Sequence, residues 1–204
     1  MSLILRAKYI VVLGPDGSGK TTIADRLAER LAEERPVRRI NFSFGIMPSL
    51  SRVLGRAPKK AVPAGQHNSG MVKPLRRSNA LLLSIWYGID HVMGHITLRR
   101  ARPGEVIIFA RSYHDFLYQR AYLNIPSIVP RMFLALGPKP DLVATPMRDP
   151  IVIHNTKPEL TIQEITNQYA RITAGLERYH YFSCVNALVG VDDAVMRIRE
   201  KVGI

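Results

Sequence analysis

The sequence predicts an α/β fold in three layers, a parallel sheet of about five strands with helices on both faces. Three observations carry that prediction. A short apolar run, Tyr9-Ile10-Val11-Val12-Leu13, leads directly into a Gly-rich loop, and helical periodicity starts just beyond it at Ile23, Leu27, Leu31 and Ala32. Further β-rich runs at 37–44, 105–110, 141–145 and 185–191 alternate with helical stretches. At 204 residues, with 47% hydrophobic and 22% charged content, the chain suits one domain, 1–204, with a core of its own.

The loop after the first strand reads Gly14-Pro15-Asp16-Gly17-Ser18-Gly19-Lys20-Thr21-Thr22. It fits the pattern of Gly, four residues, then Gly-Lys-Ser/Thr, and the chemistry explains the residue types. Gly14, Gly17 and Gly19 open backbone angles closed to other residues and bring bare amides close to a phosphate. Lys20 places an ammonium against the outer phosphates, Thr21 supplies a hydroxyl to Mg²⁺, and the following helix adds its N-terminal dipole. Strand, loop and helix are the context that this motif needs, so a triphosphate site is expected here.

The remaining elements follow in order. The first helix runs from about Ser18 to Glu34, where Arg35-Pro36 breaks it. Val37 to Phe44 reads as a strand with Ile40, Phe42 and Phe44 on one face. The stretch 45–78 reads as loop or short helix, and 57–70 is expected to be disordered or a mobile flap. Ser78 to Arg100 reads as a long helix burying Leu81, Leu82, Ile85, Ile89, Val92 and Ile96, a stripe that would serve equally for pairing with a second copy. Glu105 to Ala110 is a buried strand, followed by helical pieces around 115–123 and 129–136. A strand at 141–145 leads to a three-proline loop, 146–159, expected as a lid over 146–160. Thr161, with Glu164 placed for a capping box, starts a helix running to about Tyr179. Val185 to Val191 is the last strand, and Asp192-Asp193 opens the last helix. In such a sheet ligands sit at the carboxyl ends of the strands. The Gly-rich loop, 111–115 and 146–159 should therefore converge.

Charge narrows the partners. The net charge is +13, and not one acidic residue lies between Glu34 and Asp90, where Arg35, Arg38, Arg39, Arg52, Arg56, Lys59, Lys60, Lys73, Arg76 and Arg77 fall. Such a stretch attracts small anions, polyanions or acidic headgroups, or is simply a solvated basic face. Nucleic acid is disfavoured, because no aromatic-rich binding motif accompanies the charge. Cys184 is the single cysteine, which excludes an internal disulfide and suits a reducing cytoplasm. No signal-peptide layout is visible at the start, and the longest apolar stretch, Ala80 to Ile89, is about half a membrane span.

Three stretches resemble the thymidylate kinases and their relatives among P-loop nucleoside monophosphate kinases. The Gly-rich loop looks like that family's version, with Asp-Gly before Ser-Gly-Lys-Thr. Val106-Ile107-Ile108-Phe109-Ala110-Arg111-Ser112-Tyr113-His114-Asp115 is similar to its strand ending in Asp-Arg-Tyr. Pro138-Lys139-Pro140-Asp141-Leu142-Val143, with Asp149-Pro150 and Lys157-Pro158-Glu159-Leu160, is similar to its fourth strand and lid. The resemblance implies a P-loop NTPase-type sandwich and Mg²⁺-dependent transfer of a phosphoryl group from ATP to a nucleoside monophosphate, dTMP above all. It implies that Gly14, Gly17, Ser18, Gly19, Lys20 and Thr21 hold ATP and the metal, and that Thr22 touches the α-phosphate. Asp16 would face the acceptor sugar or position the reacting groups, and Arg111 would hold the acceptor phosphate. The segment from Arg39 to Arg56 would line the acceptor's approach.

The chain departs from that pattern at three places. Ala110 stands where the family has Asp, Thr156 where the lid has Arg beside Lys157, and Met147 where an Asp often follows the fourth strand. Asp115, Arg148 and Lys157 are the candidate substitutes. The alternatives are a P-loop kinase for another phosphorylated or sugar-containing acceptor, and a catalytically weakened nucleotide-binding protein.

Other candidates carry less. His91 and His95 have Zn²⁺ spacing without a third ligand, and read better as unrelated helical histidines. His114-Asp115 could form an acid-base pair, but Asp115 reads first as a helix cap or arginine partner. Trp86 and Tyr87 read as core, and Cys184 as inert.

Overall fold

A computed structural model of the chain describes residues 7–53, 74–156, 158, 160–187 and 190–204. Its strands are Lys8–Val12 (β1), Val37–Ile40 (β2), Val106–Phe109 (β3), Leu142–Met147 (β4) and Phe182–Asn186 (β5). Its helices are Lys20–Ala32 (α1), Leu50–Val53 (α2), Arg77–Arg99 (α3), Ile128–Leu136 (α4), Pro150–Thr156 (α5), Ile162–Leu176 (α6) and Val191–Val202 (α7). The strands form one parallel sheet in the order β2-β3-β1-β4-β5, as the alternating pattern predicts. β1 is central, with Val11 paired to Phe109 on one side and to Val143 on the other.

Alternation along each strand divides the core between two faces. Ile10, Val12, Ile108, Leu142 and Val185 point to one side, where Ile23, Leu27 and Leu31 of α1 and Ile198 of α7 cover them. Tyr9, Val11, Ile107, Phe109 and Val143 point to the other, against Ile172 and Leu176 of α6. Both faces of the central strands are buried, which is why their sequences read as continuous apolar runs. A separate cluster joins α3 and α4 to the segment after β3, with Ala80, Tyr113, Phe116 and Leu134 at its centre.

Several sequence expectations are corrected here. β2 ends at Ile40 rather than Phe44, because Phe42 adopts φ 67 and turns the chain out of the sheet. The amides of Phe44, Ile46 and Met47 then donate to the buried Asp90 carboxylate at 2.7, 2.8 and 2.9 Å, holding a loop instead of a strand. The three-proline stretch contains α5. Pro150 suits the first helical position because it lacks an N–H to satisfy, and Asp149 Oδ1 accepts from Ile151 N at 2.8 Å. The pieces after β3 are 3-10 turns at Tyr113–Leu117 and Arg120–Tyr122. β5 begins at Phe182, earlier than the Val185 start expected.

The largest correction concerns α3. Its inner face is small and polar, with Ala80, Ser84, Gly88, Asp90, His91 and Gly94 buried, while Leu82, Ile85, Ile89 and Ile96 face outwards. Aromatic rings from other elements fill the inner side. A Cβ on Gly88 would stand 2.5 Å from the Phe133 ring, and one on Gly94 2.3 Å from the Phe44 ring. Periodicity alone located the apolar stripe but not the side that the rings occupy.

Candidate functional site

The carboxyl ends of β1, β3 and β4 meet as expected. The loop from Gly14 to Gly19 turns through glycines in the left-handed region, with φ of 91° at Gly17 and 87° at Gly19, and enters α1 at Lys20. Gly14 is needed for another reason: a Cβ there would lie 2.5 Å from Ser18 Oγ. That hydroxyl is itself buried, without a hydrogen-bond partner among the described residues. Lys20 is buried, and its Nζ donates to Pro15 O at 3.1 Å and to Asp16 Oδ1 at 2.7 Å. Thr21 and Thr22 are exposed on the first turn of α1.

Arg111, just past β3, donates through Nη2 to the same Asp16 Oδ1. Asp16 thus holds two cations side by side that would otherwise repel. Burial works against the charge on Arg111, but Asp16 and Asp115 overcome it and raise the pKa above its ordinary value. From the end of β4, Arg148 brings Nη1 to 3.8 Å from where a Cβ on Gly19 would stand. Three cations from three strand ends therefore line one loop of glycine amides.

Asp115 lies beneath this cluster, buried inside the first 3-10 turn. The cap of that turn is Ser112, whose hydroxyl accepts from His114 N at 3.3 Å, so the cap expected at Asp115 falls to Ser112. The Asp115 oxygens accept from Tyr118 Oη at 2.8 Å and Gln119 Nε2 at 2.7 Å. Burial pushes its pKa up to about 6, against the pull of Arg111 and Lys20. Tyr118 Oη, its proton given to Asp115, accepts in turn from Gly14 N at 3.4 Å, fastening the Gly-rich loop to the β3 side. Tyr118 and Gln119 escaped the sequence reading. Their only signal was spacing, three and four residues after Asp115, which brings them back to it in a helical turn.

Other candidates fall away from the cluster. Arg39 spends its guanidinium on Asp25 Oδ1 at 2.8 Å, across β2 and α1, and does not join Asp16. His114 is buried and bonds Ser112 Oγ through Nδ1 at 2.8 Å, so it forms no acid-base pair with Asp115. His91 stacks on Tyr113 and His95 meets Leu136 O at 3.1 Å, so each histidine has separate work. Among the described residues no group of three or more His, Cys, Asp or Glu could hold a metal ion. Trp86 anchors Pro48 O at 3.0 Å from a half-buried position, and Cys184 is exposed within β5. Lys157, the 57–70 segment and the lysines of the basic stretch lie outside the described residues.

Ala110 is buried, packed with Ile10, Val12, Ile23 and Leu27. Thr156, the last residue of α5, returns its hydroxyl to Val152 O at 2.8 Å. Neither supplies the charge that the resembling family has at these places.

No protein-family model and no curated protein matches the sequence. Among solved structures, the crystal structure of thymidylate kinase from Ehrlichia chaffeensis is similar with a TM-score of 0.59 and 16% identity, over 96% of this chain and 98% of that one. The similarity is one of fold: the chain has the α/β P-loop architecture of that kinase, with its five-stranded parallel sheet between helices.

Proposed function

We propose that the protein is a phosphotransferase that moves the γ-phosphoryl group of ATP onto a small anionic acceptor. A nucleoside monophosphate such as dTMP is the acceptor to which the resemblance points. The observation that carries the reading is the meeting of Lys20, Arg111 and Arg148 on the loop that Gly17 and Gly19 shape. Phosphoryl transfer asks little covalent chemistry of a protein and much positioning of cations around a migrating charge.

The residues fit a magnesium nucleotide. The loop amides and Lys20 would cradle the outer phosphates, and the unpartnered, buried Ser18 hydroxyl lies within that cradle. Thr21 would hold Mg²⁺ together with the nucleotide's own oxygens, a usual arrangement for a cation that keeps few protein ligands. The metal, when bound, neutralises charge on the transferring group. Asp16 positions Lys20 and Arg111, Arg111 holds the acceptor's anionic end, and Arg148 closes on the donor from the β4 side. The setting we read for this chemistry is the cytoplasm, and among the described residues no helix is long and apolar enough to cross a membrane.

ADP release from Mg-ATP against a panel of nucleoside monophosphates and sugar phosphates tests the proposal. The expected result is turnover of about one per second or faster with one acceptor. Lys20→Ala should lower it by about a hundredfold or more while leaving the circular dichroism spectrum intact. Wild-type turnover in a folded Lys20→Ala protein would sink the reading.

A second reading keeps the nucleotide site and changes the acceptor, or slows catalysis. Two observations favour it: Ala110 contributes only a methyl to an apolar cluster, and the Phe42 ring packs edge-on against Tyr87 with Phe116 beside it, next to Arg111. Restoring the carboxylate with Ala110→Asp separates the cases. A large gain in dTMP phosphorylation indicates a weakened dTMP kinase, and no gain favours a different acceptor.

A further inference from the structure

The chain leaves the sheet at Gly14, just beyond β1. Leu13 N still donates to Ala144 O at 2.9 Å, but Gly14 N has no backbone acceptor among the described residues. It donates instead to Tyr118 Oη at 3.4 Å. Tyr118 is wholly buried, and burial together with the Asp115 charge holds its pKa well above the ordinary value. The phenol therefore keeps its proton and donates to Asp115 Oδ1 at 2.8 Å, which leaves a lone pair for the Gly14 N–H.

Other contacts fix the phenol in place. The Tyr118 carbonyl accepts from Arg171 Nη1 of α6 at 3.3 Å, and the same Nη1 donates to Glu164 Oε1 at 3.0 Å. The ring packs in the cluster of Tyr9, Val11, Ile107 and Val143, so it is held against the sheet as well. Tyr118 belongs to the segment after β3 that begins with Arg111, the cation that shares Asp16 with Lys20. One side chain thus joins the first glycine of the loop to the segment that carries Arg111. Ala110, which precedes that arginine, packs only a methyl into the apolar cluster beneath the loop. The loop folds back tightly here, since a Cβ on Gly14 would stand 2.5 Å from Ser18 Oγ. A shift of the Leu13–Gly14 peptide therefore moves Ser18 and the amides that lead to Lys20.

We propose that Tyr118 is a positioning residue for phosphoryl transfer, whose hydroxyl sets the Leu13–Gly14 peptide, and with it the loop amides, in register with Arg111. The inference rests on the phosphotransferase reading above. Donor phosphates then meet amides that are already aimed, and the acceptor's anionic end is held in line with them. Groups fixed before the substrates arrive need no reordering as charge migrates, so their placement bears on the rate more than on acceptor affinity. Tyr118 acts through Gly14 and Asp115, from a buried position behind the loop.

Tyr118→Phe in the full chain keeps the ring and removes the hydroxyl. Three measurements read it: hydrogen exchange at the Gly14 amide, Mg-ATP affinity by calorimetry, and ADP release with the acceptor that the panel identifies. Exchange should quicken and Mg-ATP affinity fall by about threefold or more each, the effect of one modest hydrogen bond. The kcat should fall by about tenfold or more, with the acceptor KM within about twofold of wild type. Gly94→Ala overpacks α3 away from the loop, and should leave all three readings unchanged. Tyr118→Phe with Asp115→Asn removes the unpaired charge and regains stability, yet Gly14 N still lacks its acceptor, so the three defects should persist. Wild-type readings in folded Tyr118→Phe overturn the proposal. So do equal defects in Gly94→Ala, recovery of Mg-ATP affinity in the double variant, or a raised acceptor KM with kcat unchanged. If the wild type binds Mg-ATP but phosphorylates no acceptor, the phosphotransferase reading fails, and exchange and affinity still decide whether Tyr118 sets the loop. If it binds no Mg-ATP, both are overturned.

Discussion

Asp115 shows how much one side chain can owe to its setting. It is buried, its carboxyl is pushed up to about 6 first by desolvation, and Tyr118 and Gln119 occupy its oxygens. Tyr118→Phe would leave Oδ1 without its donor and cut the link to Gly14. A loss of about 1–3 kcal/mol in urea unfolding is expected at pH 7. The loss should shrink at pH 5, where the folded carboxyl is protonated and no longer needs a donor at both oxygens. An equal loss at both pH values would assign the effect to the Gly14 link instead. At this scale the sequence served unevenly. Lys20 and the glycines around it were legible because their motif is local and each member has a chemical reason. The pairing of Arg39 with Asp25 was not legible, because nothing local announces a partner on another element.

α3 holds several distant segments in place. Asp90 holds the loop after β2, Trp86 holds Pro48, and Gly88 and Gly94 admit the rings of Phe133 and Phe44. Asp90→Asn is nearly the same size but keeps only one acceptor atom. If its carbonyl oxygen accepts from Ile46 and Met47, its amide N–H₂ faces the Phe44 N–H, donor against donor. Destabilisation by about 1–3 kcal/mol is expected, with faster hydrogen exchange at amides 44, 46 and 47. Unchanged exchange at those amides would show that the loop has other support. Gly94→Ala must displace the Phe44 ring, which packs on Tyr9, Phe109 and His91. A loss of about 1–3 kcal/mol by thermal or urea unfolding is the expected cost of that overpacking. Elements with a local signature, β1, α1 and β3, were found in the sequence where they stand. α5 was hidden by its prolines, and β2 was overextended because Asp90, far along the chain, decides where the strand stops.

For the molecule as a whole, acid should act mainly through two buried histidines. His91 and His114 are held neutral, each with its pKa lowered to about 3 by burial and then by neighbouring cations, including Lys139. A folded pKa below the unfolded value means that stability is present above about pH 6.5 and is lost as pH falls towards 3. Each histidine loses about 2 kcal/mol between pH 7 and pH 5. Asp115 acts with the opposite sign, because its pKa is raised by folding: its contribution grows as pH falls through 6 towards its unfolded value. The net expectation is a loss of about 2–3 kcal/mol over that range, measured by urea unfolding at the two pH values. A gain on acidification would mean that the Asp115 contribution outweighs both histidines.

The sequence by itself determined the layer architecture, the strand, Gly-rich loop and helix in which the proposed phosphate site lies, and the identity of Lys20, Thr21 and Arg111 as candidates. These depend on alternation, periodicity and a contiguous motif, which are properties of neighbours along the chain. Only the tertiary structure decided which side of α3 is buried, that Arg148 reaches Gly19 while Arg39 does not reach Asp16, and that Asp115 is held by Tyr118 and Gln119. It also decided that the apolar stripe on α3 faces outwards beside that of α4. The physical reason is the same throughout. A helix face or a charged side chain is claimed by whichever ring or carboxylate the fold brings against it, and those partners are distant in sequence.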